Sequence, residues 1–224
     1  MTTRLFLVRH GATTLGAEDR FAGSTDVALS EEGRAQARAL GKRLAQQRLA
    51  AVYASPLRRT LETARLIAAS HRLEPETREE LREIDHGHWE ERERAEVART
   101  DPEEYATWEA DPFTFAPTGG ESGVNVLARA LPVIRAIVLS HPAQAVLVVS
   151  HKATIRLVIA SLLGFDARGY RDRLDQHPAC LNILDFRDAT RARLMLFNDT
   201  AHYQSLPEPP TRLHLSRWWD EDGT

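Results

Sequence analysis

The stretch LFLVRHGATT, residues 5–14, joins an apolar run to two basic side chains. Residues 4–9 are too short and too apolar for a surface helix, so they predict a buried strand. Arg9 and His10 close that strand, and Gly11 and two threonines follow. A buried strand that ends in a cation and an imidazole indicates that an anion binds at its end. The remaining sequence predicts which residues join them.

Two more apolar runs, each followed by a helical pattern, set the predicted fold class. A helix with Ser30 as its N-cap follows the first strand, and the strand AAVYAS, residues 50–55, comes next. We expect a helix to begin at Pro56, since proline is tolerated in the first turn. AVLVVSH, residues 145–151, is the clearest buried strand, and it too precedes a helix. This alternation predicts an α/β fold, a three-layer α/β/α sandwich around a mostly parallel sheet.

The middle of the chain, residues 72–120, is charged, broken by prolines and weakly periodic. It predicts an excursion of helices and loops, with a lid-like insertion over about 86–120, rather than a separate domain. A long helix follows over 121–141, in which Pro132 should cause a kink or divide the helix into two segments. LNILDF and RARLMLFN predict a closing pair of strands. We therefore expect one domain over 1–206 and a C-terminal tail over 207–224.

Composition excludes several function classes. The chain is 42% apolar and 27% charged, with a net charge of −3, which argues against nucleic acid or a membrane surface as a partner. Cys180 is the single cysteine, so an internal disulfide and a cysteine-based metal site are excluded. No apolar run approaches about 20 residues, and we expect a cytoplasmic protein. The tail could pack against a second copy, so a homodimer stays open.

Basic residues fall at the ends of three predicted strands. Arg9 and His10 end the first, Arg58 and Arg59 follow the second, and His151 ends the third. Ligands of open parallel sheets bind at the carboxyl ends of the strands, where helix N-termini add N–H donors and partial positive charge. Two histidines and arginines from two loops predict a pocket for a doubly charged oxyanion such as phosphate.

Five motifs in the same order carry a resemblance to a known family: LVRHG, SPLRRTLETA, LREIDHGHWE, GGES and VVSHKATIR, between residues 5 and 156. Together they resemble the histidine phosphatase superfamily, with its phosphoglycerate mutase-like fold. The resemblance implies that His10 attacks phosphorus and becomes a phosphohistidine, while a backbone carbonyl holds its other ring nitrogen. It implies that Arg9, Arg59 and His151 neutralise the phosphoryl oxygens.

The resemblance also implies a general acid, Glu83, which would protonate the leaving alkoxide and then activate water. No metal or other cofactor is required, because the arginines supply positive charge. Arg59 is preferred to Arg58 because it begins the motif R-x-L-E-T-A, and we expect Arg58 to face solvent. His86 and His88, on one face of a predicted strand, raise a metal site as an alternative, but no third ligand with a known spacing accompanies them.

The sequence departs from the family at two places. Lys152 stands where the family usually has glycine, and we hypothesise that it contacts a second phosphate or a carboxylate of the substrate; a side chain turned to solvent is the alternative. Many relatives have an asparagine where Leu15 and Gly16 lie here, so a phosphate contact is either lost or supplied by Thr13 or Thr14. Gly23 and Ser24 complete the predicted substrate-binding residues.

The segment that begins at Glu90 distinguishes the two activities that the resemblance implies, phosphatase and mutase. EERERAEVARTDPEEY resembles the phosphatase branch and lacks the longer insertions of the glycolytic mutases. We therefore predict hydrolysis of a small phosphorylated metabolite, with the insertion covering the pocket and selecting the leaving group. Its aromatic residues suggest a partly apolar lid, and helix packing explains several of them equally well. A phosphoglycerate mutase-type transfer and a binding module without turnover remain alternatives.

Overall fold

A mixed six-stranded sheet forms the centre of the computed structural model, which describes residues 2–14 and 20–204. The strand order is β3-β2-β4-β1-β5-β6. Neighbouring strands from β3 to β1 run parallel, and β5 runs antiparallel to both β1 and β6. The mostly parallel sheet is therefore confirmed. The strands are β1 (Thr3–Arg9), β2 (Leu49–Ala54), β3 (Glu76–Thr77), β4 (Ala145–Ser150), β5 (Leu181–Phe186) and β6 (Ala192–Asp199).

Helices cover both faces of this sheet. Side chains alternate along β1, so Leu5 and Leu7 pack into the core beneath α5 and α6, while Phe6 and Val8 pack against α1 and α2. Two separate apolar clusters result, one on each face, and the predicted three-layer sandwich is confirmed. The α-helices of the described residues are α1 (Glu31–Leu44), α2 (Arg58–Ala68), α3 (Arg94–Thr100), α4 (Pro102–Ala110), α5 (Gly123–Ser140), α6 (Lys152–Leu163) and α7 (Tyr170–Arg173).

Of three predictions about the helices, one is confirmed and two are wrong. Ser30 caps α1, accepting a hydrogen bond from the backbone N–H of Gly33 at 3.1 Å, as predicted. The predicted start of α2 at Pro56 is wrong by two residues, because Leu57 keeps an extended backbone and α2 begins at Arg58. Helix α5 runs unbroken past Pro132, so the predicted division into two segments is wrong. Its buried face spans both sides of the proline, and this packing keeps the helix continuous.

The predicted insertion over 86–120 contains α3, α4 and a short 3₁₀ turn at Gly87–Trp89. The predicted strand through His86 and His88 is wrong, because Gly87 has a φ of +58° and the chain turns there. Aromatic side chains of the segment pack on one another and on Phe21. Trp89 and Trp108 are buried in that cluster, so packing accounts for them.

Helix α5 is also long and apolar enough, by length and composition, to cross a membrane. Core helices of soluble proteins meet the same criterion, and α5 places Ala130, Ile134 and Ile137 in the core cluster beneath the sheet. The predicted tail over 207–224 lies outside the described residues, as do Leu15 and Gly16.

Candidate active site

His10 lies at the carboxyl end of β1 and is held from three sides. Its backbone N–H donates to Ser150 O at 3.0 Å, and its carbonyl accepts from Ala179 N at 3.0 Å. Its Nδ1 lies 2.8 Å from Gly11 O, the backbone carbonyl contact that the sequence analysis predicts. A carbonyl can only accept, so Nδ1 carries the ring proton of neutral His10 and Nε2 keeps its lone pair.

The surroundings of His10 keep its ring uncharged at neutral pH. Burial lowers its pKa well below the usual value, and the charges of Arg59 and Arg9 lower it further. His151, whose ring centroid lies 5.2 Å from that of His10, also has a lowered pKa, first through burial and then through Arg59. Both imidazoles are therefore neutral in a site that contains two arginines.

Arg59 lies in the first turn of α2 and hydrogen-bonds to His151. Its Nε donates to His151 Nδ1 at 3.2 Å, so the proton of neutral His151 is on Nε2, which lies 2.8 Å from Ser55 Oγ. The other guanidinium nitrogens donate to two backbone carbonyls, Nη1 to Thr25 O at 2.6 Å and Nη2 to Gly23 O at 2.7 Å. Arg59 is buried, and these contacts fix its guanidinium at the strand ends.

Glu83 belongs to the segment that follows β3, and its carboxylate contacts the beginning of α6. It accepts from the backbone N–H groups of Ala153 at 3.0 Å and Thr154 at 3.1 Å. These are first-turn donors that the helix itself leaves unpaired. The predicted general acid is thus tied to the helix that starts directly after His151.

The geometry therefore joins a neutral imidazole with a free Nε2, two arginines, a second imidazole and a carboxylate at one edge of the sheet. A family model described as "Histidine phosphatase superfamily (branch 1)" matches residues 5–200. The chain belongs to the histidine phosphatase superfamily.

Several relatives of this chain are named as phosphatases. Phosphoserine phosphatase 1 of Hydrogenobacter thermophilus is 36% identical over 73% of this chain and 77% of its own length. The adenosylcobalamin/alpha-ribazole phosphatase of Salmonella typhimurium is 31% identical, over 88% of this chain and 97% of its own. Among solved structures, Bacillus stearothermophilus YhfR superposes with a TM-score of 0.83 at 32% identity, covering 89% of this chain and 98% of its own.

Glu90 contacts the loop that holds Arg59, and the sequence analysis did not select it. Its carboxylate accepts from the backbone N–H groups of Gly23, Ser24 and Thr25 at 3.1–3.2 Å and from Thr25 Oγ1 at 2.7 Å. It therefore fixes the loop whose carbonyls hold Arg59. Gly23 and Ser24 donate their amide hydrogens to Glu90, and their direct contact with substrate stays a prediction.

Two other contributors are Ser55, beside His151, and Gln176, whose carbonyl accepts from Arg9 Nη1 at 2.6 Å. The position of Ser55 in SPLRR, at the end of a predicted strand, is a signal that could have identified it. Gln176 acts through its backbone, so its side-chain type gives no such signal.

The remaining predicted residues lie around this centre. Thr13 pairs with Leu29 in an isolated β-bridge beside residues outside the described part, and its contact with phosphate stays a prediction. Arg58 is exposed, as expected. Lys152 Nζ lies 3.2 Å from Asp175 Oδ1, so its side chain forms an ion pair rather than turning to solvent.

The metal alternative involved His86 and His88, and the structure separates them. His86 is buried against Phe21, whereas His88 is exposed. His88 Nε2 lies 3.1 Å from a carboxylate oxygen of Glu104 and 3.7 Å from one of Asp101. This group of three is a set of possible ligands that the sequence spacing did not indicate. Asp101 also pairs with Arg92 at 3.0 Å, which reduces its availability to a cation.

Proposed function

We propose that this protein hydrolyses phosphomonoesters of small metabolites through a phosphohistidine at His10. The observation that carries the proposal is the contact between His10 Nδ1 and Gly11 O at 2.8 Å, because it directs an unprotonated Nε2 into a site that contains Arg9 and Arg59. A nucleophile, a charge-stabilising group and a proton donor are the components that phosphoryl transfer needs.

In the first step, Nε2 attacks phosphorus and forms the P–N bond while the bond from phosphorus to the ester oxygen breaks. Arg9 and Arg59 stabilise the charge on the non-bridging oxygens, and His151, whose neutral ring accepts from Arg59 Nε, positions that guanidinium. Direct contact of His151 with these oxygens stays a prediction. Glu83 enters this step protonated and gives its proton to the departing oxygen. The alcohol leaves, and Glu83 is left as a carboxylate.

In the second step, the Glu83 carboxylate takes a proton from water as the water oxygen attacks phosphorus. The P–N bond breaks, inorganic phosphate leaves, and both His10 and Glu83 return to their starting protonation states. The contacts from Ala153 and Thr154 keep the Glu83 carboxylate in place for this step. The same group thus serves as acid and base in turn.

Two alternatives differ from this proposal in outcome. A mutase would return the phosphoryl group to its substrate, but the named relatives above are phosphatases. A binding module needs neither a nucleophile with a fixed tautomer nor an acid beside it. A cytoplasmic location and a homodimer stay predictions from the sequence.

The test is hydrolysis of p-nitrophenyl phosphate with EDTA present, together with an assay for interconversion of 2- and 3-phosphoglycerate. We expect phosphate release by the wild type and by His88→Ala, a matched histidine control outside the site, and a loss of at least about 1,000-fold in His10→Ala. Quenching in alkali should preserve a phosphoenzyme in the wild type and in His88→Ala that is lost on later acid treatment, and His10→Ala should form none. Efficient interconversion would instead identify a mutase, and phosphate binding without any turnover would identify a binding module.

A further inference from the structure

Beside the phosphoryl site lies a group of cations that the proposed chemistry does not use. Lys152 is the first residue of α6, and Arg156 lies one turn further along the same face. Both contact the same atom, Asp175 Oδ1, Lys152 Nζ at 3.2 Å and Arg156 Nη2 at 3.0 Å. Gln176 N donates to this oxygen as well, at 2.8 Å.

These cations have more hydrogen-bond donors than their observed partners use. An ammonium has three donors and a guanidinium has five. Arg156 is buried, and its Nε has no hydrogen-bond partner among the described residues. One carboxylate is paired with both cations, so below pH 7, where Lys152 is protonated, this group keeps one positive charge in excess, which a singly charged anion would neutralise.

The group is continuous with the phosphoryl site. Lys152 directly follows His151, and Arg9 is near enough to lower the pKa of both Lys152 and Arg156. Arg9 also donates to the carbonyl of Gln176, the residue after Asp175. About a quarter of the Lys152 side chain, 27%, and 35% of the Asp175 side chain remain exposed, so a bound molecule can reach the pair.

We infer that Lys152 and Arg156, which share Asp175, form a second anion site for a carboxylate on the alcohol part of the substrate. The site rests on the proposed function, and it assigns the substrate class as phosphomonoesters of hydroxy acids. A carboxylate matches the single excess charge. A second phosphate, with nearly two negative charges, would exceed it.

Lys152 also makes this recognition depend on pH. Burial lowers its pKa to about 7, and the charges of Arg156 and Arg9 lower it too, whereas Asp175 raises it. His177 Nδ1 also lies 3.7 Å from Asp175 Oδ2, and Tyr170 and Glu83 are further titratable groups close enough to act on Arg156. The ammonium is present below the pKa, so preference for a carboxylate is strongest near pH 6 and falls as the pH rises through 7 toward 9.

The experiment compares substrates that differ only in the carboxylate. The pairs are 3-phosphoglycerate with glycerol 3-phosphate, and O-phosphoserine with O-phosphoethanolamine; fructose 1,6-bisphosphate with fructose 6-phosphate tests a second phosphate. The measured quantity is the ratio of kcat/KM within each pair. We expect the wild type to favour the carboxylated member, and Lys152→Met to reduce that ratio about tenfold, which corresponds to about 1.4 kcal/mol.

Two control variants and a pH series test whether the Lys152 charge causes this preference. Lys152→Arg should retain the ratio because it keeps the charge, and Lys42→Met, an exposed lysine of α1, should leave it unchanged. The ratio should also fall with rising pH in the wild type but not in Lys152→Met. Ratios near one, ratios insensitive to Lys152→Met, or a preference confined to the bisphosphate would overturn the carboxylate site while leaving phosphatase activity intact. Absence of hydrolysis with every ester would overturn the proposed function and this inference together.

Discussion

At the scale of single residues, Glu90 is joined to Arg59 through a loop rather than by direct contact. Its carboxylate fixes the loop at Gly23–Thr25, and that loop in turn holds the Arg59 guanidinium through two carbonyls. A carboxylate can accept all of these hydrogen bonds because it offers about four acceptor positions. A carboxamide offers half as many and places an N–H₂ group against backbone donors.

We therefore predict that Glu90→Gln lowers kcat/KM for p-nitrophenyl phosphate by about 10- to 100-fold, because a displaced Arg59 stabilises the transition state less well. The inhibition constant of inorganic phosphate should rise in parallel, and Glu103→Gln, on the exposed face of α4, is the matched control. A variant that melts earlier yet keeps both kinetic constants would show that Glu90 serves stability alone.

The residues at the strand ends could be predicted from the sequence, whereas Glu90 could not. Apolar runs in the sequence identify the strands, and four of the predicted residues lie at or just after the ends of these strands: Arg9, His10, Arg59 and His151. The structure brings them to one edge of the sheet. Glu90 is different, because most of its partners are backbone N–H groups, three of them from a loop more than 60 residues earlier in the chain. Such a contact depends on tertiary folding, and its donors have no side-chain identity to read.

At the scale of elements, the packing of α5 outweighs the tendency of Pro132 to break a helix. Pro132 lies in the interior of the helix, where it removes a hydrogen bond to the residue four positions earlier, yet the helix is continuous. The apolar residues on both sides of it pack beneath the sheet. The local rule predicted a kink or a division into two segments; the helix is not divided, and the long-range burial of its face accounts for this.

Replacing that proline should stabilise the protein. Pro132 is exposed, so Pro132→Ala creates no cavity and restores the missing donor. Proline costs about 3 kcal/mol relative to alanine in a helix interior, partly offset by its stiffening of the unfolded chain, so we expect a gain of about 2 kcal/mol. The melting temperature should rise by about 4–8 °C. Urea denaturation would measure the gain directly.

Pro142→Ala is the control for that prediction, since Pro142 is equally exposed but lies after the helix has ended. It has no interior hydrogen bond to restore, and it should show no gain. Equal stabilities of Pro132→Ala and the wild type would mean that the helix tolerates the missing bond at no cost.

At the scale of the whole molecule, an anion that binds where three strand ends meet should stabilise the fold. Phosphate at 100 times its dissociation constant adds about 2.7 kcal/mol to the free energy of unfolding. For a chain of this size we expect the melting temperature to rise by about 5–10 °C. Sodium chloride at equal ionic strength should not reproduce the rise, and Arg59→Met should abolish most of it. An equal rise with either salt would indicate a general ionic effect.

The sheet order has a consequence for how this protein is made. Of the six described strands, β1 leaves the ribosome first, but it lies between β4 and β5, and β2 is joined to it only through β4. A nascent chain that stops before Ala145 therefore has no strand to bridge its first two. More than a hundred residues must be synthesised after His10 before its backbone can form hydrogen bonds with Ser150 and Ala179. The surroundings of His10 are thus completed only after the segment that carries β4 and Ala179 has been synthesised.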